Sequence, residues 1–463
     1  ITRNDSLVID AKNLDILSHE IQIKDFSGQI SIKTDSASLR IHFSEPVYRG
    51  DTVTVQINYR ASSSEGLHFS RYEKREDHYV PGQFWTVGHP ERNSYWLPTL
   101  DRPGETTTHE FWITVPDSLT SISNGKLVAQ SQYDSTRTDY WIMEQEHPVY
   151  SMTVAAGDFS HNRNIEHGTV QHYYLEPGYS TNSNLIYGTT PDALSFLSSY
   201  FDLPYPWENY KQVALHRFLF SGMENTTSSF YNANIQIDEK AAQDISNQNL
   251  IVHELTHQWF GNRIVIDDWA NLALLEGLAG YMEILYKEKA QNRPVEAAWQ
   301  LYQEKQHYLM EAREMRRSLI FRKFDSADEL YDAHTYSKSI WAWHMLRKTV
   351  GEAVFQSALR TMAEELIQDQ QPINPEVVQN HFEQASGLSL RGFFRQWWHQ
   401  PGHPTIQVAH LVRKGELYLE LAQIQKDPQP IFKLSPEFEL RTERGIRNFT
   451  PQFYTQDTTY KIS

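Results

Sequence analysis

Residues 253–276 read HELTHQWFGNRIVIDDWANLALLE, and no other stretch restricts the fold so tightly. His253 and His257 stand four apart, so on a helix they share one face, about one turn from each other. That helix is apolar nearly all round: Leu250, Ile251, Val252 and Leu255 lie before or within the motif, and Trp259 and Phe260 follow. A helix of this kind belongs in a core, where two imidazoles and a carboxylate are costly unless partnered. Two neutral imidazoles at this spacing can bind one zinc ion, and Glu254 between them is placed to act on a water that the metal activates. Glu276 follows His257 after eighteen residues, inside a second apolar run, and can supply a third ligand. Three protein ligands leave one vertex open, as catalytic sites require, whereas structural sites are closed by four. Gly261-Asn262 is a helix stop. The plainer alternative is two core histidines on an amphipathic helix.

The chain has 463 residues, too many for one simple core, so two or three domains are expected. Apolar residues at 40% and aromatics at 13% describe a packed globular protein. With Lys+Arg 42 against Asp+Glu 58, the formal charge of −16 argues against nucleic acid or an anionic membrane as partner. It does not impede a substrate that carries a free ammonium. Cysteine is absent, which excludes disulfide, zinc–thiolate and thiol chemistry without fixing the compartment. No run is long and apolar enough for a transmembrane helix. The start at Ile1 reads as a trimmed or mature form, and a removed secretory signal stays open. A periplasmic, secreted or surface location therefore stands beside a cytoplasmic one.

Up to about residue 162 the texture is strand-like. IQIKDFSGQISIKT from Ile21, VTVQINYR from Val53 and DYWIMEQ from Asp139 alternate and are rich in β-branched and aromatic residues, and Asn124-Gly125 is a turn signal. This is an all-β domain, a sandwich or curved sheet. A polar, turn-rich stretch occupies 175–185, and helical periodicity follows over 191–200, 241–260, 269–287, 294–317, 337–349, 352–367, 375–385 and 388–398. From Pro404 alternation returns in TIQVAHLV, ELYLELAQI and FELRTE, a small terminal β module. There are no internal repeats and no low-complexity tract.

Two further segments bear on chemistry. Ser221-Gly222-Met223-Glu224-Asn225 follows the strand-like QVALHRF and can form an edge on which a peptide lays its backbone, with Glu224 facing a terminal ammonium. An ordinary solvated turn is the alternative. Tyr336 begins a helix sixty residues after Glu276, and a hydroxyl near zinc can donate to an oxyanion, although most of the 25 tyrosines are packing residues.

Together these segments resemble the zinc aminopeptidases of the gluzincin group, the family of aminopeptidase N and leukotriene hydrolase. The pattern there is HExxH, eighteen residues, Glu, preceded by Gly-x-Met-Glu-Asn and followed by Tyr-x-Lys-Gly. This chain shows His253-Glu254-Leu255-Thr256-His257, Glu276-Gly277, Met223-Glu224-Asn225 and Tyr336-Ser337-Lys338. Trp96 to Pro103 (WLPTLDRP) is similar to the family's WFPCYDxP signature, and Ser123-Asn124-Gly125, Gly157-Asp158-Phe159 and Trp397 to Pro404 also correspond. The resemblance covers almost the whole chain.

It implies a multidomain α+β protein: an N-terminal all-β saddle domain over 1–162, a thermolysin-like, mainly helical catalytic domain over 163–402, and a small C-terminal β module over 403–463. The large helical C-terminal domain of many relatives has no counterpart, as expected of a short, bacterial-type member or a trimmed chain. The activity implied is removal of N-terminal residues from peptides, with one zinc per chain held by His253, His257 and Glu276. Glu254 is the implied base, Tyr336 the oxyanion donor and Glu224 the partner of the substrate amine, with Gly222 and Met223 along the peptide backbone. Oligomeric state and preferred residue are not readable.

The departures carry their own expectations. Ser221 stands for the first glycine of the loop, Leu275 for an asparagine before the third ligand, and Ser339 for the glycine after Lys338. Trp85 to Glu91 (WTVGHPE) is similar to the family's WTQGEPE, so Val87 and His89 replace two amine-holding residues. A histidine is a poor substitute for a carboxylate beside an ammonium, which predicts weaker affinity for free N-termini or a shifted preference. A thermolysin-like endopeptidase, a lipid-epoxide hydrolase, and a zinc-binding scaffold without activity are the competing readings.

Overall fold

The computed structural model describes residues 3–23, 26, 28–48, 50–62, 65–74, 79–80, 82–425, 430–442 and 445–462. The chain runs from a β-rich N-terminal region through a helical middle to a short C-terminal set of strands, as the sequence pattern predicts. The run expected from Ile21 is two strands, Asp15–Ile23 and Ile30–Thr34, and its residues 24, 25 and 27 lie outside the described residues.

Strands Arg3–Asp10, Ser38–Tyr48 and Ile30–Thr34 form one antiparallel sheet, and Asp15–Ile23 pairs with Val53–Arg60 in another. Strand Ser38–Tyr48 buries Leu39, Ile41 and Phe43 at alternate positions, and Ile21, Ile23, Val55 and Ile57 of the second sheet pack on them. Period-two apolar residues thus meet face to face, which is sandwich packing. A sheet of Leu67–Ser70, Gln83–Thr86, Val154–Gly157 and Thr120–Ser123 lies closer to the catalytic half. Its strand Gln83–Thr86 leads directly into Val87 and His89.

A five-stranded sheet opens the next region, ordered Ser160–Glu166, Thr169–Leu175, Asn209–Leu215, Ser228–Asn232 and Gly222–Met223. Asn209–Leu215 is buried at every position and pairs in parallel on both sides; its polar residues are partnered, with Asn209 and Lys211 donating to the Gly125 carbonyl and Gln212 bonded to Thr190 and Tyr231. Because Ser160–Glu166 pairs into this sheet, we propose that the first domain ends near residue 159, with the helical region and terminal strands as the other two units.

The helices follow the predicted order with shifted ends. The zinc-motif helix is Gln248–Thr256, shorter than 241–260. Ahead of it, Asp238 accepts from the Ala241 amide at 2.8 Å and closes a separate short turn; behind it, the backbone runs on in turns, with Gly261 at φ +137 reversing the chain. Helix Leu272–Leu285 carries Glu276 and is buried at nearly every position, then relaxes into a wide turn over Tyr286–Ala290. Helix Pro294–Glu311 stops short of 317. A second wide turn, His334–Lys338, presents Tyr336 ahead of helix Ser339–Val350, where a regular helix from 337 was expected. Helices Glu352–Asp369, Pro375–Ser386 and Arg391–Trp397 complete the series. The stretch 175–185, expected to be turns, holds the start of helix Ser183–Tyr187. One continuous core, with Trp259, Trp343 and Trp398 fully buried, joins these helices to the sheet.

The terminal strands Ile406–Arg413, Glu416–Gln423 and Asp457–Ile462 form a sheet around Leu419, Leu421 and Phe453, beside the hairpin Phe438–Thr442 and Gly445–Phe449. Residue 443 of the expected FELRTE strand lies outside the described residues.

Candidate metal centre and substrate cleft

The two histidines reach the same point because helix geometry puts them on one face, their ring centroids 4.9 Å apart. Helix Leu272–Leu285 packs against them and brings Glu276 Oε2 to 3.1 Å from His253 Nε2 and 3.5 Å from His257 Nε2. The ligand atoms of these three residues all lie within 4.8 Å of one another. The far ring nitrogens are fixed as well: His253 Nδ1 is 2.9 Å from Glu283 Oε1, and His257 Nδ1 is 3.0 Å from the Phe260 carbonyl. With both Nδ1–H groups donating, both Nε2 lone pairs face the shared point, so two imidazole nitrogens and one carboxylate fit a divalent metal. Glu283 in turn accepts from Gln300 Nε2 at 2.8 Å.

Among the three side chains themselves, protons are shared: burial lowers both histidines, but the Glu276 carboxylate, helped by Glu283 at His253 and Glu224 at His257, outweighs it and raises both, and a divalent metal would replace those protons. Burial alone would raise Glu276, but the His257 and His253 imidazoles outweigh it and hold the carboxyl well below the usual range. Glu254 is not in the trio: burial pushes it up to about 8, opposed by His253 and assisted by Glu224.

A cleft of about 720 Å³ opens over the trio, and Gly222, Met223, Glu224, Glu254, Tyr336 and His89 all line it. Gly222–Met223 is the edge strand of the five-stranded sheet, so one side of its backbone is free to pair. A β-carbon at Gly222 would sit 2.6 Å from Glu254 Cδ, so any larger residue here must displace the Glu254 carboxylate or the strand. The Glu224 carbonyl accepts from Gln258 Nε2 at 3.0 Å and Asn262 Nδ2 at 2.6 Å, which ties the edge strand to the turn after the zinc-motif helix.

At the Glu224 end, His89 is 3% exposed, lies 4.7 Å from the Trp269 ring and hydrogen-bonds through Nδ1 with the Tyr331 hydroxyl. Tyr331 stacks on Phe220 at 6.0 Å. Val87 does not reach the cleft; it is fully buried in the core, as is most of Leu275. Ser339 faces Gly277 and donates to the Tyr336 carbonyl at 2.8 Å. Sequence reasoning missed Glu283 and Tyr331. Glu283 follows Glu276 by seven residues, two helical turns on the same face, a signal present in the sequence. Tyr331 lies outside any periodic segment and carries no such signal.

Fold and trio together define a group that could hold a metal ion, set between a β-rich and a helical region. Residues 186–397 match the peptidase family M1 domain and residues 2–151 the peptidase M1 N-terminal domain; the chain belongs to the M1 peptidase family. It is 23% identical over 417 residues to aminopeptidase M1-C of Oryza sativa subsp. japonica, covering 87% of this chain and 46% of the relative. It is 23% identical over 421 residues to aminopeptidase N of Rattus norvegicus, covering 82% of this chain and 42% of the relative. It is 23% identical over 368 residues to the mitochondrial aminopeptidase 2 of Saccharomyces cerevisiae, covering 76% and 38%. The chain thus spans about half the length of the curated relatives it matches.

Proposed function

We propose that this chain is a zinc-dependent aminopeptidase, with one zinc held by His253, His257 and Glu276. The observation that carries the reading is a buried carboxylate, Glu224, in the same cleft as the trio and Glu254. A carboxylate beside a metal trio suits a chain terminus that bears an ammonium, and a thermolysin-like endopeptidase has no use for it.

When bound, zinc supplies Lewis-acid polarisation and lowers the pKa of water toward neutrality. Glu254, which lines the cleft beside the trio, takes a proton from the attacking water and returns it to the leaving amine; burial raises its carboxyl, and a cation held by the trio would lower it again toward the ionised form a base needs. Burial, reinforced by Glu276, holds the Tyr336 hydroxyl well above its ordinary value, so it stays protonated and donates to the oxyanion. Gly222 and Met223 offer backbone pairing to the peptide, and Glu224 sets its register. His253 and His257 are aimed by Glu283 and the Phe260 carbonyl.

The test is turnover on a full panel of aminoacyl anilides and on N-terminally blocked peptides, with and without chelator. Free amino termini should be required, and Glu254→Gln should lower kcat by about 10²–10⁴-fold. Cleavage of blocked peptides would favour an endopeptidase. Stoichiometric zinc without turnover would favour a scaffold.

A further inference from the structure

The wide turn His334–Lys338 that presents Tyr336 is an uncommon local structure, less favourable than a regular helix and most often retained at functional sites. Something must hold it, and a buried polar node lies directly beneath. Asp332 accepts from Arg317 Nε at 2.7 Å and Arg317 Nη2 at 2.5 Å, and from the amides of His334 at 3.1 Å and Thr335 at 2.9 Å. Arg317 Nη2 also donates to Thr335 Oγ1 at 2.7 Å. Fully buried His334 sits between two partners: its Nδ1 is 2.6 Å from Glu311 Oε2, and its Nε2 accepts from the Arg317 amide at 3.3 Å. Glu311 also accepts from the Ala333 amide at 3.2 Å.

Glu311, Asp332 and His334 are spaced as three metal ligands would be. The hydrogen bonds oppose that use. Because Nε2 of His334 accepts, Nδ1 carries the proton and donates to Glu311, so no lone pair is left for a cation. Asp332 is occupied by the guanidinium of Arg317, which would repel a second cation.

We infer that Glu311, Asp332, Arg317 and His334 are positioning residues for Tyr336, acting through the wide turn and not through a metal. The inference rests on the reading of Tyr336 as oxyanion donor. Two neighbours support it. The Tyr336 amide donates to the Asp332 carbonyl at 3.2 Å, and Ser339, two residues past Ser337, donates to the Tyr336 carbonyl at 2.8 Å. The node thus fixes the backbone that accepts from the Tyr336 amide, the Ser339 hydroxyl, shared with the Thr335 carbonyl, holds the other side, and Tyr331, one residue before Asp332, shares the same support.

The experiment is a double-mutant cycle on the zinc-loaded enzyme with an aminoacyl anilide. Glu311→Ala removes a partly exposed carboxylate and should leave the fold intact; His334→Phe removes both imidazole contacts from the core. Each should lower kcat at least about tenfold, toward the roughly 100-fold that a 1 Å misplacement costs, with KM within about twofold. Zinc should remain at one per chain. In a Tyr336→Phe background neither should cause a further loss, because the residue they act through is already disabled. Losses that multiply in that background, an unchanged kcat in both single variants, or a second zinc lost with Glu311 would overturn the inference. Full activity of Tyr336→Phe alone would instead overturn the oxyanion reading, and the inference with it.

Discussion

Burial keeps the His89 imidazole below its ordinary value, so it is neutral, even though Glu224 and Glu276 pull the other way. A neutral ring clamped by Tyr331, Tyr150 and Trp269 gives an ammonium no opposite charge, which leaves the amine to Glu224. His89→Glu should lower KM for aminoacyl anilides by about tenfold, the value of one charge-assisted hydrogen bond. An unchanged KM would remove His89 from the account. Another buried imidazole bears on stability. His109 is pushed down to about 4 by burial, and its Nδ1 is 3.0 Å from Nε2 of His147, which burial also holds low. A histidine whose folded value lies below its unfolded 6.5 contributes stability that is complete above pH 6.5 and lost as pH falls toward 4. For His109 this amounts to about 3 kcal/mol. The unfolding temperature should drop between pH 6.5 and 4, and less steeply in His109→Gln; equal slopes would contradict the assignment.

At the scale of elements, the edge strand and the zinc-motif helix are matched to each other across Gly222. A β-carbon there falls 2.6 Å from Glu254 Cδ and 2.9 Å from Cγ, so Gly222→Ala must move the base or the strand. Either shift should lower kcat by about 10²-fold without loss of metal, read as turnover beside zinc content. Retained turnover would show that the strand can yield. The order and type of these elements were legible because period 2 and period 3.6 are written along the chain, as in Val53–Arg60 and Pro375–Ser386. Their ends were not. The helix expected over 241–260 is cut by the Asp238 turn and by Gly261, and the helix expected from 337 begins as a wide turn, because side-chain capping and tertiary contacts decide termini.

For the whole molecule, the cleft is a joint product of regions far apart in sequence. Asn124 Nδ2 donates to the Thr226 carbonyl at 2.7 Å, the Gly125 amide donates to Thr227 Oγ1 at 2.7 Å, and Arg92 pairs with Asp328 at 2.9 Å. Trp269 Nε1 donates to Glu91 at 3.0 Å. These contacts bring His89 and Tyr150 of the β-rich region to the metal trio. Spacing alone made His253, His257 and Glu276 readable, since one helix face and one neighbouring helix suffice to bring them together. Glu224 and Tyr336 needed the family pattern, and Tyr331 needed the fold, because its place beside His89 joins residues 242 apart.

The most direct test of the metal centre is zinc per chain, measured after dialysis, for the unaltered protein beside His257→Ala and Glu276→Gln. One zinc per chain, much weakened or lost in both variants together with turnover, is the expected result. Full zinc retention in both variants, or none in the unaltered protein after loading, would contradict a metal held by His253, His257 and Glu276.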